Sequence, residues 1–336
     1  MKTFATALAP HISTPRRVQR VMAEVLLALL PGAALQLWTY GPGHAFQLVL
    51  ALVFGLALET ALSRLRPAPL NPAGDFSAAV TAALFALSLA PLAPWWVSAF
   101  GMFVALGVAK HAYGGLGANL FNPAMVGCAF VLVAFPHAAT TWPAYTLGLA
   151  ETAGAIFLAG PGITWDTLSS ATPLDVARQL GAQGLRMPEI YSSPLYADSR
   201  AGAGPWIALA YTLGGLYLLW RRIIGWQAPV GVIAGTVLMT LPFWLLDAER
   251  HASPLQQLGS GGLMLAAWFV ATDPVSGCTS PRGRLIFGAG VAVLTLIIRR
   301  WGTFPDGVAF AVLLMNALAP LIDRATRPRI YGRNHA

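Results

Sequence analysis

Trp226-Gln-Ala-Pro-Val-Gly-Val-Ile-Ala-Gly-Thr-Val-Leu-Met-Thr-Leu-Pro-Phe-Trp-Leu-Leu246 contains no charged side chain from end to end. At ~1.5 Å rise per residue, a helix of this length covers ~30 Å, the hydrocarbon thickness of a bilayer. Working outward, comparable apolar runs recur along the chain. They predict about ten spans, at approximately 19–39, 45–64, 76–92, 94–112, 122–136, 205–221, 226–246, 259–272, 284–300 and 307–323. The whole chain agrees with this reading: 56% of its 336 residues are hydrophobic and 10% are charged. A soluble domain carries about 25% charged residues. The fold class read from the sequence is therefore an all-α integral membrane protein.

The net charge of +8 raises the question of nucleic acid, and its distribution answers it. With ten spans and the N-terminus inside, the outer segments hold only Arg178, Arg186, Arg200, Arg250, Arg299 and Arg300. The other fifteen of the 21 Lys and Arg residues, including Arg16, Arg17, Arg20, Lys110, Arg221 and Arg222, fall inside. This is the positive-inside bias, and it sets orientation rather than nucleic-acid binding. Arg299 and Arg300 break the pattern and are read as snorkelling from a helix end. The first apolar run follows a polar leader with no small-residue cleavage site, so no cleaved signal peptide is expected. No Cys or His spacing suggests a metal site, and the six scattered histidines read as structural or surface residues.

These spans divide the chain into a cytoplasmic segment 1–18, a first membrane half 19–136, a polar segment 137–204, a second half 205–324 and a cytoplasmic tail 325–336. The halves are weakly similar. Gly127-Cys-Ala-Phe130 and Gly307-Val-Ala-Phe310 open the last span of each, and each of those short spans ends at a proline, Pro136 or Pro320. Five spans per half is odd, so a repeat must be inverted, and such repeats place sites near the bilayer midplane. Compositional likeness of two Ala/Gly-rich helices is the alternative. Trp38, Trp95, Trp96, Trp206, Trp220, Trp226, Trp244 and Trp301 fall near span ends, as an interfacial belt requires.

The polar segment contains Asp166-Thr-Leu-Ser169-Ser170-Ala171-Thr172-Pro173. Two readings of Thr172 stand side by side. Thr172-Pro173-Leu174-Asp175 is a helix start, with Thr capping, Pro at the first turn and Asp at the third position. The longer stretch also resembles the motif at which a flavin transferase joins FMN to a threonine through its phosphate. That chemistry needs a hydroxyl flanked by small residues on an exposed loop with backbone freedom. An esterified phosphate would suit a helix N-terminus, so the two readings are compatible.

Further stretches carry a wider resemblance: Gly114-Gly-Leu-Gly-Ala-Asn119-Leu-Phe-Asn122-Pro-Ala-Met-Val-Gly127, Ser170-Ala-Thr172-Pro-Leu174, Ala271-Thr-Asp273-Pro-Val275, Arg282-Gly-Arg-Leu-Ile-Phe-Gly288, and Pro305-Asp306-Gly-Val-Ala-Phe-Ala-Val-Leu-Leu314, with Leu321-Ile-Asp323 and Thr326-Arg-Pro-Arg329-Ile-Tyr-Gly332 beyond. Together they cover about residues 19–333. The chain is similar to the RnfD family, the D subunits of the Rnf (Rsx) ion-translocating electron-transport complex. That family is related to the B subunits of the sodium-translocating NADH:quinone oxidoreductase, and the chain's length favours the Rnf branch.

The resemblance implies ten helices in two inverted five-helix repeats, like urea and ammonium channels. It implies FMN bound covalently at Thr172, with Asp166, Ser169, Ser170 and Ala171 as the attachment motif; Ser170 stands where the family often has glycine. It also implies that Asn119 and Asn122 match an Asn-x-x-Asn-Pro motif beside a non-covalent riboflavin in the quinone-reductase relative. Asn122-Pro123 also reads simply as a helix start. The family setting is the inner membrane of a bacterium, both termini cytoplasmic and residue 172 periplasmic, with a flavin transferase acting during maturation. The family complex passes electrons between ferredoxin and NAD, coupled to Na⁺ or H⁺ movement. This chain has neither a ferredoxin-type cysteine run nor a Gly-x-Gly-x-x-Gly after a strand, so other subunits are expected to bind those partners. Glu59, Asp75, Asp273, Asp306 and Asp323 are the candidates for an ion path, because carboxylates in or near spans are costly. Asp75 and Asp306 also fit helix caps. A stand-alone channel or permease for a small polar solute, or a scaffold for partner subunits, would use the same fold without redox chemistry.

Overall fold

Eleven helices suffice to describe the frame. In chain order they are α1 (Val18–Tyr40), α2 (Gly43–Arg64), α3 (Ser77–Ser88), α4 (Trp95–Met102), α5 (Pro123–Ala134), α6 (Pro173–Ala182), α7 (Gly204–Trp220), α8 (Gln227–Leu246), α9 (Leu263–Leu265), α10 (Pro281–Trp301) and α11 (Val308–Thr326). The computed structural model describes residues 18–65, 75–143, 145–158, 169–304 and 306–327. Two of these helices widen into π-helix: α4 continues as Phe103–His111 and α9 as Ala266–Val270. Asp166 of the attachment motif lies outside the described residues, as do most of the two terminal segments.

Five helices, α1, α2, α8, α10 and α11, are long and apolar enough to cross a membrane by themselves. Their outward faces carry large apolar side chains, among them Leu30, Val49, Val53, Leu238 and Leu321. Such a surface needs lipid around it. Exposed Trp38, Trp206, Trp220 and Trp301 sit at or near helix ends, where a tryptophan belt belongs.

Two of the other expected spans are much shorter than their apolar runs. The third is the 12-residue α3 and the eighth shrinks to Leu263–Val270. The last span differs in the other direction. It does not stop at Pro320 but runs through it to Thr326. Proline inside a membrane helix is tolerated where neighbours satisfy the freed carbonyl.

Packing repeats between the halves. α1 packs on α7 and α5 on α11. Exchanging the first five helices for α7–α11 maps α2 on α4 onto α8 on α10, α4 on α5 onto α10 on α11, and α1 on α3 onto α7 on α9. The tightest of these contacts rests on small residues. A Cβ on Gly235 would lie 2.7 Å from the Ala289 carbonyl oxygen, and one on Gly288 would collide with the Ala228 carbonyl. Such close backbone approach drives helix association in lipid, where burial of apolar surface gives little.

The polar segment is folded rather than extended. Trp142–Pro143 pairs antiparallel with Ser169–Ser170, and Val176, Leu180 and Ile190 form a small core of their own.

Candidate functional site

Thr172 caps α6. Its Oγ1 accepts the Asp175 N–H at 3.2 Å, and its hydroxyl donates to Asp175 Oδ2 at 2.7 Å. Asp175 Oδ2 accepts the Thr172 N–H at 3.3 Å in return. This is the reciprocal box the sequence suggests, with Pro173 at the first helical position. Ser169 and Ser170 are held by the strand pair with Trp142–Pro143, and Thr172 is half-buried.

Inward of Thr172 lies a cavity of about 190 Å³ between the two helix sets. Tyr40, Trp142 and Gln36 line it from the first half and its flank, and Tyr211, Gly259–Gly262 and Asp306 from the second. The Tyr40 and Trp142 rings meet edge-on at 4.8 Å. The Tyr211 hydroxyl donates to Gln36 Oε1 at 3.1 Å, which fixes two polar atoms deep in the cavity. A wall of aromatic rings with a few fixed polar groups is the usual lining of a cofactor site.

Arg299 and Asp306 hold the glycine turn that closes this cavity. Arg299 is 8% exposed and does not snorkel. Its guanidinium meets Asp306 at 3.2 Å and donates to the carbonyls of Gln257 and Ser260. Asp306 Oδ2 accepts the Gly262 N–H at 2.7 Å, and α11 has no side-chain cap. The capping reading of Asp306 is therefore replaced by a turn clamp. Gly261 has φ +63°, and a Cβ there would collide with Asp306, so glycine is required on both counts. Arg300 lies over the Phe243 ring at 4.2 Å, a cation–π contact that accounts for the second exception to the charge bias. A second cavity of about 460 Å³ opens beside α6, lined by Arg178, Arg250, His251, Arg299 and Arg300. Burial first, and Arg300 next, hold the His251 pKa below its usual range.

A third cavity, about 150 Å³, is lined by both Asn119 and Asn122. Asn122 is buried at the start of α5, where its Oδ1 caps Met125 N. The helix-start reading is thus correct, yet the side chain does more: its Nδ2 donates to Asp273 Oδ2 at 3.2 Å. Ser276 Oγ donates to the same oxygen at 2.7 Å, and Asn316 accepts the Asn122 N–H at 3.0 Å. Asn119 Nδ2 donates to the Phe121 carbonyl. The remaining polar lining includes Lys110, Ser77 and Trp268, whose buried indole N–H has no hydrogen-bond partner among the described residues.

Lys110 and His111 are the residues sequence reasoning missed. Lys110 Nζ donates to Glu59 Oε1 and to Ser77 Oγ, each at 2.8 Å. Ser77 Oγ donates onward to Asp75 Oδ1 at 2.7 Å. His111 Nε2 lies 3.0 Å from Glu59 Oε2, so this histidine is not an isolated structural ring. The available signal was Lys110-His111 ending a long apolar run, which reads first as a charged helix terminus. Of the five candidate carboxylates, Glu59 and Asp75 are linked through this chain, and Asp273 lies across the cavity. Asp323 is elsewhere, accepting from Thr279 and Ser280 at the start of α10.

Fold and site together define a multi-pass, all-α membrane protein with two interior cavities, one beneath a capping threonine and one lined by asparagines and an ion pair. The match to known proteins is nearly full-length. Residues 5–332 match the model of the NQR2, RnfD, RnfE family. The D subunit of the ion-translocating oxidoreductase complex of Pseudomonas aeruginosa is 46% identical over 333 residues, covering 98% of this chain and 96% of the relative. Its counterpart from Aeromonas salmonicida is 43% identical over 345 residues, covering 98% and 99%. That of Salmonella paratyphi A is 42% identical over 348 residues, covering 98% of each. The chain belongs to the NQR2, RnfD, RnfE family, and it is a membrane subunit of an ion-translocating oxidoreductase complex.

Proposed function

We propose that this protein carries electrons on an FMN esterified to Thr172 and on a second, non-covalent flavin in the Asn119–Asn122 cavity, and that it helps move Na⁺ or H⁺. The observation that carries the proposal is the Thr172 hydroxyl at the edge of an aromatic-walled cavity, donating to the Asp175 carboxylate. The residues present fit the group. Bound FMN supplies one-electron carrying chemistry. Asp175 Oδ2 orients the Thr172 hydroxyl and would take its proton as Oγ1 bonds to the flavin-side phosphorus of FAD, the pyrophosphate bond breaks and AMP leaves. Tyr40 and Trp142 would offer the flavin aromatic surface, and Gln36 and Tyr211 would offer it polar atoms. α5 connects the two cavities: Asn122 faces one and Cys128 the other. Six residues of helix separate them by only about 9 Å.

On this proposal the two helix sets are oppositely oriented in a bacterial inner membrane, with Thr172 on the periplasmic side where the flavin transferase acts. Other subunits bind ferredoxin and NAD. Asp273, which lines the inner cavity, and Glu59 and Asp75, which join its lining through Lys110 and Ser77, form the ion path. Asp306 and Asp323 serve as clamps. A channel or permease for a polar solute would need neither the cap geometry nor the carboxylate beside it.

The test is direct. The full chain is purified from a host with a flavin transferase, denatured, and examined for flavin fluorescence on the gel and for a mass gain. Wild type is expected to carry one FMN and Thr172→Ala none. A bare polypeptide mass for wild type, or fluorescence retained by Thr172→Ala, overturns the proposal.

A further inference from the structure

Lys110, counted among the inner charges by the sequence, is buried rather than solvated. Its side chain is 3% exposed, yet it lines the Asn119–Asn122 cavity while its Nζ sits on Glu59 and Ser77. Glu59 is itself 7% exposed at its side chain and contacts His111 on its other oxygen. A lysine and a glutamate in a membrane interior are expensive, and their pairing offsets that cost only while both stay in place. Trp268, which lines the same cavity, has a buried indole N–H without a partner among the described residues, a donor that a ligand with an acceptor atom would satisfy. Lys110 therefore stands between a ligand cavity and a buried carboxylate, in contact with both.

We infer that Lys110 is the charge link between the redox cofactor and the transported cation: negative charge arriving in the cavity draws the Lys110 ammonium away from Glu59, and Glu59 then takes up one Na⁺ or H⁺. This rests on the flavin reading of the Asn119–Asn122 cavity. The balance is simple. One electron enters from a reduced one-electron donor of the complex, which is oxidised as the flavin gains one negative charge. One cation joins the Glu59 carboxylate, so the membrane interior gains no net charge. When the electron leaves to the next acceptor, Lys110 returns to Glu59 and expels the cation. Neither Lys110 nor Glu59 forms or breaks a covalent bond, beyond the O–H bond at Glu59 where the ion is H⁺. The low dielectric around the cluster makes the rearrangement sensitive to a single charge. The π-helix Phe103–His111 carries Lys110 and His111, and π segments are frequent at functional sites.

The experiment is a redox titration of the non-covalent flavin in the purified complex, with the covalent FMN as internal control. In wild type its midpoint potential rises with cation concentration or with falling pH, by ~59 mV per decade for one cation per electron. In Glu59→Gln this dependence is lost. In Lys110→Met the reduction equilibrium weakens about tenfold, again ~59 mV, while the Thr172 FMN keeps its potential. Because Lys110→Met leaves Glu59 without its lysine partner, Lys110→Met/Glu59→Gln is the second variant; it restores a neutral pair and shows the same fall without cation dependence. A potential unchanged in both lysine variants, or cation dependence surviving Glu59→Gln, overturns the inference while leaving the flavin reading intact. Extraction of wild type without any non-covalent flavin overturns both.

Discussion

At residue scale, Asp175 separates the cap that Thr172 forms from the flavin attachment proposed for it. The hydroxyl caps α6, and caps of this type contribute ~1 kcal/mol. The same hydroxyl donates to Asp175, which the cap alone does not need. Asp175→Asn is expected to leave the helix formed and to slow flavin attachment at least about tenfold, since positioned bases contribute rate factors of that order or larger. A time course of gel fluorescence with the transferase present checks it; wild-type rates in Asp175→Asn would remove the carboxylate from the chemistry. Arg299 offers a test of the turn clamp. Asp306→Asn leaves its buried guanidinium without a counter-charge, a change that costs about 3 kcal/mol where pairs are buried. Thermal unfolding in detergent is expected to show a lower Tm for Asp306→Asn than for Asp323→Asn, whose lost partners are backbone N–H groups and hydroxyls.

At the scale of elements, the contact of α8 with α10 is the least forgiving. Gly235→Leu forces a branched side chain against the Ala289 backbone, which cannot move without its helix. Overpacking of this kind costs about 1–3 kcal/mol, and reduced yield of folded protein by size exclusion in detergent is the measure. Charge-free runs such as 226–246 were legible because length and apolarity alone make a spanning helix. The short elements were not. The 259–272 run is apolar, but its glycines and the Arg299–Asp306 clamp turn the first residues into cavity lining, so only Leu263–Val270 is helical. The Thr172 cap was legible because Thr, Pro and Asp act within one turn. The Lys110–Glu59 pair was not, because its partners are 51 residues apart and sequence spacing carries no record of such contacts.

For the whole molecule, orientation decides whether the chemistry is possible. The proposed orientation puts Lys110, Arg221 and Arg222 towards one side and Thr172 on the other, and on the positive-inside rule the first side would be cytoplasmic. Both cavities are consistent with that polarity, since α5 leads from the asparagines towards the threonine. Ser193 lies between two short helices of the folded polar segment, half-buried between exposed neighbours and away from both cavities. With Cys128 and Cys278 buried, a cysteine placed at Ser193 is the only readily accessible thiol among the described residues. In intact cells with a permeable outer envelope, Ser193→Cys is expected to react with a membrane-impermeant maleimide at the rate seen after the inner membrane is opened. Labelling only after opening would put Thr172 in the cytoplasm, away from a periplasmic transferase. The covalent flavin and the orientation would then have to be abandoned together, while the Lys110–Glu59 link, which rests on the non-covalent flavin, would be titrated without the Thr172 control.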